Sequence, residues 1–169
     1  RKLHLNIYTM KPYILFILFS SFLIWAQTPI SKSKVDFSEL KVFDLINVEL
    51  IKSTENKIEI TGEDASDVSI IQKNNLLKIK MKFNNTFNGD KTFVKLYYTK
   101  INTIDANEGT KVFSESVFKQ YELELKTQEG AEIALITDTK LLSIKSVTGG
   151  IIKASGSTQS QNIYISTGG

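Results

Sequence analysis

The chain has 169 residues, with 21 Lys+Arg against 18 Asp+Glu, one His and no Cys. That length holds one domain with a core of its own, and the missing cysteine excludes both disulfide staples and a cysteine-linked lipid anchor. Arg1, Lys2 and Lys11 precede residue 27 and no acid does, so the remaining 18 basic residues balance 18 acidic ones. This balance argues against a nucleic-acid footprint, which needs clustered, unbalanced Lys and Arg.

Met10 and Lys11 precede Pro12 and an apolar run over residues 13–24, followed by Trp25, Ala26 and Gln27. A short basic region, an apolar core and a small residue in that order predict a secretory signal peptide over residues 1–26, cut after Ala26. Residues 1–9 are then an upstream extension or part of a longer basic region. The run is short of the roughly 20 apolar residues of a membrane span; the competing reading is an uncleaved N-terminal anchor. Cleavage removes the one His (His4) and the one Trp (Trp25).

Residues 27–40 form a polar lead-in, expected to be mobile over residues 28–34. From Lys41 the pattern turns to strand: Phe43 and Leu45 alternate, then Val48 and Leu50 resume after an offset at Ile46 and Asn47, which predicts a bulge there. Ile58 and Ile60 alternate next. Residues 63–67 are acidic, either a solvated turn or a calcium loop, though the Asp-x-Asp-x-Asp-Gly order is missing. Strands over residues 68–71 and 76–81 flank Lys73, Asn74 and Asn75, a hairpin signal. Leu77, Ile79 and Met81 alternate with Lys78, Lys80 and Lys82. The lysine face either guards against strand pairing or binds acidic glycans or lipid headgroups. Residues 84–91 are rich in turn formers and contain a glycosylation sequon at Asn84, Asn85 and Thr86; residues 92–98 form a further strand.

A repeat then begins. Gly109, Gly130, Gly149 and Gly168 are 21, 19 and 19 residues apart. Five residues before each stands an aliphatic, Ile104, Leu125, Ile144 and Ile163; three after each of the first three stands another, Val112, Ile133 and Ile152. A recurrent apolar–Gly–apolar unit of about 20 residues predicts an all-β solenoid of stacked rungs, glycines at the corners and the two aliphatic sets as inward rows. The same register sets Asp105 beside Lys126 and Lys111 beside Glu132. It also sets Glu108 beside Glu129, either splayed into water or sharing a cation. Val117, Phe118, Tyr121 and Leu125 have helical spacing, but residues 121–125 alternate strictly and read as strand. Residues 155–160 read as a flexible corner.

With His4 removed there is no histidine base and no His-based metal set. No Gly-x-Ser-x-Gly or phosphate-cradling glycine loop occurs, and Asp105 and Asp138 occupy different phases of the repeat. No catalytic residue, cofactor or metal is expected. Two classes stay open: a non-catalytic binding module, and a carbohydrate-active lyase or hydrolase on the same scaffold. An ice-binding array needs more threonines in line than Thr148 and Thr167.

Residues 43–49, 58–63, 76–82, 107–109, 112–115, 122–130, 147–150 and 166–169, with Thr-Gly-Gly recurring after alternating strands, resemble the bacterial "putative auto-transporter adhesin, head GIN domain" family. The resemblance implies an exported protein of a gram-negative bacterium, with a right-handed parallel β-helix-like solenoid over residues 41–169 behind a strand-rich N-terminal part. It implies adhesion to a protein or glycan, in the periplasm, on the outer surface or outside the cell, with the membrane met only through the signal segment. It carries over no catalytic residues. Such domains continue through further rungs, so truncation after Gly169 is expected, with self-association through the strand edge left open.

Overall fold

The computed structural model describes residues 29–33 and 35–169; the expected signal segment, residues 1–26, lies outside them. The alternating and β-branched stretches form eleven strands among the described residues: β1 (Ile30–Ser33), β2 (Glu39–Val42), β3 (Asn47–Lys52), β4 (Lys57–Gly62), β5 (Val68–Lys73), β6 (Leu76–Met81), β7 (Thr92–Tyr98), β8 (Thr103–Ala106), β9 (Lys111–Thr127), β10 (Glu132–Val147) and β11 (Ile151–Ser166). They belong to one sheet in the order β1-β4-β7-β3-β9-β8-β2-β6-β5, with β10 beside β9 and β11 beside β10. The fold is all-β, and its sheet curls. The first part of β9, Lys111–Phe113, pairs with β3, while Glu124–Thr127 pairs with β8. The two arms of the sheet therefore turn around one core, which Leu40, Leu50, Leu77, Leu96, Ile104 and Leu125 fill from both sides.

The turning points are a column of two-residue corners. Asp44 and Leu45 have φ of 63° each, Glu108 and Gly109 54° and 69°, Glu129 and Gly130 55° and 73°, Thr148 and Gly149 51° and 74°, Thr167 and Gly168 52° and 73°. Two consecutive left-handed residues reverse the chain tightly, and glycine accepts the second place without steric cost. The corners bond to one another: Leu45 N–H donates to Glu108 O at 3.0 Å, Gly109 N–H to Glu129 O at 2.9 Å, and Gly130 N–H to Thr148 O at 3.3 Å.

Parallel pairing follows the same spacing. Glu132 lies opposite Ile151 and Val147 opposite Ser166, a constant offset of 19 residues. Between β9 and β10 the offset starts at 21, Lys111 opposite Glu132, and becomes 19 from Val117 opposite Ile136. The two extra residues bulge out around Ser114 to Ser116. The nearly buried Ser114 holds that bulge: its hydroxyl donates to Leu50 O at 2.8 Å and accepts from Ser116 N–H at 3.2 Å.

Four expectations are corrected. Residues 28–34 were expected to be a mobile lead-in, yet Ile30–Ser33 is a strand, antiparallel to β4 (Ile30 opposite Ile60), because β4's outer edge offers unpaired backbone groups. The offset near Ile46 and Asn47 is not a bulge; the break is the corner at Asp44 and Leu45, which turns Phe43 and Leu45 outward and buries Asp44 and Ile46. Residues 155–160, expected to be a flexible corner, are extended in the middle of β11, with 155–158 and Ser160 paired with 136–139 and Leu141 of β10, and the pairing skips only at Gln159 beside Lys140. Regular parallel rungs do not extend over residues 41–169. β5 and β6 form an antiparallel hairpin with Asn74 at φ 53°, and β4 runs antiparallel to β7.

Candidate binding surface

The repeat residues lie where their offsets put them, with a gradient of burial. Ile104 faces Leu125, Leu125 faces Ile144, and Ile144 faces Ile163. Ile104 and Leu125 are fully buried, Ile144 is half-buried and Ile163 is 49% exposed. Val112 and Ile133 are likewise buried, with Ile152 half-buried at the end of their row. The gradient follows from pairing, since β11 pairs with β10 alone among the described residues.

The register sets the expected neighbours side by side, but the ion pairs close with other partners. Asp105 lies opposite both Lys41 and Lys126. Its carboxylate meets Lys41 Nζ at 3.1 Å, while Lys126 turns to Glu124 at 2.7 Å. Glu132 lies opposite Lys111 but bridges Lys153.

At the first corner the Asp44 carboxylate is buried and accepts the N–H groups of Met81 at 2.9 Å and Phe87 at 3.0 Å. Asp44 N–H in turn donates to Glu108 Oε2 at 3.3 Å. Burial, then the Asp44 charge, pushes the Glu108 carboxyl above its usual range, with Glu129 adding to the effect. Lys78 and Lys80 line a shallow pocket of about 240 Å³ beside these acids. Among the described residues no group of three His, Cys, Asp or Glu is arranged to hold a metal ion. Glu63, in the acidic loop, instead bridges Lys91 at 2.7 Å, and Asp67 bridges Lys82 at 3.7 Å.

Two concave surfaces of equal volume flank a different column, in the middle of the long strands. Gln120, Thr139 and Thr158 lie in register, as do Glu122, Leu141 and Ser160. Between them Tyr121, Lys140 and Gln159 stand at one corner, all exposed. Tyr121 is 64% exposed and Lys140 Nζ lies 5.9 Å from its ring centroid. On one side a groove of about 480 Å³ is lined by Lys119, Tyr121, Asp138, Lys140, Thr158 and Gln159. On the other an equal volume of about 480 Å³ is lined by Asn102, Glu122, Glu124, Leu141, Ser143 and Asn162.

Short polar contacts fix the walls. Lys119 Nζ lies 3.5 Å from Asp138 Oδ2, and the Ser157 hydroxyl donates to Asp138 Oδ1 at 3.1 Å. Thr103 donates to Glu124 Oε2 at 3.4 Å. Buried Leu123 and Leu142 line the second groove, and in the core buried Phe118 stacks on Tyr98 with centroids 5.0 Å apart. Burial also pushes the Tyr98 hydroxyl up to about 12, so it stays neutral.

Nothing in the glycine pattern pointed to this corner, because no glycine marks it. The same 19-residue offset counted from Tyr121 reaches Lys140 and then Gln159, and would have found it.

The sequence model of the family described as "Putative auto-transporter adhesin, head GIN domain" matches residues 36–169. No curated protein sequence matches the chain. Among solved structures, a putative adhesin from Bacteroides fragilis superposes with a TM-score of 0.70 at 17% identity, covering 80% of this chain and 66% of that one. A putative adhesin from Parabacteroides distasonis gives 0.64 at 18% identity, covering 82% and 69%. A protein from the same species described as a putative lipid binding protein gives 0.62 at 12%, covering 83% and 63%. The chain thus spans about two thirds of the length of these proteins, and at such identities the likeness concerns the fold.

Proposed function

The chain belongs to the "Putative auto-transporter adhesin, head GIN domain" family, and from that premise we propose that it is an exported, non-catalytic binding module of adhesion type. The observation that carries the reading is the pair of open grooves flanking Tyr121, walled by side chains on a rigid parallel ladder. We read residues 103–166 as right-handed β-helix-like rungs of about 20 residues, supported by the 19-residue offsets and the column of corners. Such a scaffold presents long, stiff faces suited to holding a partner.

The enzyme alternative needs acids that converge on one bond. Glu122 and Asp138 line different grooves, and Asp138 and Glu124 are each engaged by a lysine. That arrangement favours holding over cleaving.

Export is tested by N-terminal sequencing of material recovered outside the cytoplasm. Gln27 as first residue supports it, and an intact Met10 in membranes favours the anchor. Adhesion is tested by adding the labelled, purified chain to bacterial and host-cell surfaces. Saturable retention supports the reading, and retention no greater than that of an unrelated protein of equal size contradicts it.

A further inference from the structure

Building on the adhesion reading, we propose that the corner formed by Tyr121, Lys140 and Gln159 is a saccharide site that takes a neutral oligosaccharide laid across the strands. The backbone beneath is already committed. β10 is paired with β9 on one edge and with β11 on the other through this region, so a ligand lying across the three strands meets them through side chains alone.

Those side chains suit a ring of hydroxyls. A sugar ring offers a C–H face and a rim of O–H groups, which matches a flat aromatic flanked by groups that both donate and accept. Here the Tyr121 ring is 64% exposed, and Thr158 and Gln159 border one groove while Ser160 and Asn162 border the other.

Charge selects within the class. Asp138 is bridged to Lys119 at 3.5 Å and Glu124 to Lys126 at 2.7 Å. Lys140 and Glu122 then contribute one charge of each sign on opposite sides of the corner. A polyanion would meet as much repulsion as attraction, whereas a neutral polyol loses nothing.

Geometry points to a chain rather than a single sugar. The column crosses three strands, about 10 Å at ~4.8 Å per strand, and both flanking grooves are open. The paired strands that carry the column fix its spacing before any ligand arrives, which keeps the ordering cost of binding low.

The test is retention of the purified chain on immobilised malto-, cello-, xylo- and manno-oligosaccharides, with a heparin-derived hexasaccharide as the anionic comparison. The soluble hexasaccharide of the best series is then titrated by calorimetry. Binding to a neutral series, weakened at least tenfold by Tyr121→Ala and several-fold by Gln159→Ala, but less than threefold by Tyr121→Phe, supports the site. All three substitutions are at the surface, and unchanged melting temperatures certify that the fold is intact. Retention by the heparin-derived sugar alone, retention by none, or Tyr121→Ala binding like the wild type overturns it. If no saccharide is retained while the chain still adheres to cell surfaces, the saccharide assignment falls and the adhesion reading stands. If surface adherence is also absent, both fall.

Discussion

Leu45 overhangs Gly109: a methyl group built on Gly109 would meet Leu45 Cδ2 at 2.5 Å. The corner lacking glycine and the corner above it are thus fitted to each other, one supplying a side chain and the other the space for it. At Gly130 the same methyl group would meet nothing within 4 Å.

The two glycines therefore predict different costs. Gly130→Ala should lose about 1–2 kcal/mol, the penalty of a left-handed L-residue. Gly109→Ala should lose about 1 kcal/mol more, because Leu45 must move or distort. In a Leu45→Ala background the excess should vanish. A double-mutant cycle by urea denaturation measures the coupling.

This pairing also shows where sequence was legible and where it was not. Glycine with flanking aliphatics carried the register from Ile104 to Ile163, because a left-handed corner selects glycine and an inward row selects aliphatics. Asp44 and Leu45 make the same corner with no glycine, so alternation through Phe43 and Leu45 looked like unbroken strand. Ile30–Ser33 has too few apolar residues to be seen as strand, since it is held by β4's free backbone edge. Residues 155–160 are small and polar, yet β10's ladder keeps them extended. The Tyr121 corner follows no burial period, since its residues are exposed, and only the 19-residue offset to Lys140 and Gln159 marks it.

Burial should set the cost of truncating the aliphatic row. Leu125→Ala, fully buried between Ile104 and Ile144, should lose about 2–5 kcal/mol. Ile163→Ala, at 49% exposure, should lose less than about 1.5 kcal/mol, half the effect of a fully buried side chain. Thermal melts of the two variants give the comparison directly.

Asp44 should be costly to lose despite its charge. It accepts two backbone N–H groups, from buried Met81 and from Phe87. Asp44→Ala should lose about 2–4 kcal/mol through unsatisfied donors and lost charge-assisted bonds. Hydrogen exchange should speed up at Phe87 and Gly89 first, because Asp44 also accepts from Gly89 N–H through its carbonyl.

Glu108 predicts a pH dependence of the opposite sign to an ordinary salt-bridged acid. Its carboxyl is raised above the ordinary glutamate value of 4.5, first by burial and then by Asp44. The folded state therefore holds its proton more tightly than the unfolded state. The contribution of Glu108 to stability is fully present below about 4.5 and declines as pH rises through the raised value. Glu108→Gln should raise the melting temperature at pH 7, and the gain should shrink towards zero as pH falls below 4.5. A gain that is constant with pH contradicts the assignment.

The central claim, that ligand is held at the corner of the long parallel strands, is tested most directly by backbone amide NMR of the labelled chain titrated with the best-retained oligosaccharide. The account predicts shift changes confined to residues 119–122, 138–141 and 157–162, with Tyr121 among the largest. Changes centred instead on Lys78, Lys80 and the loop at Phe87, or no saturable change at all, would contradict it.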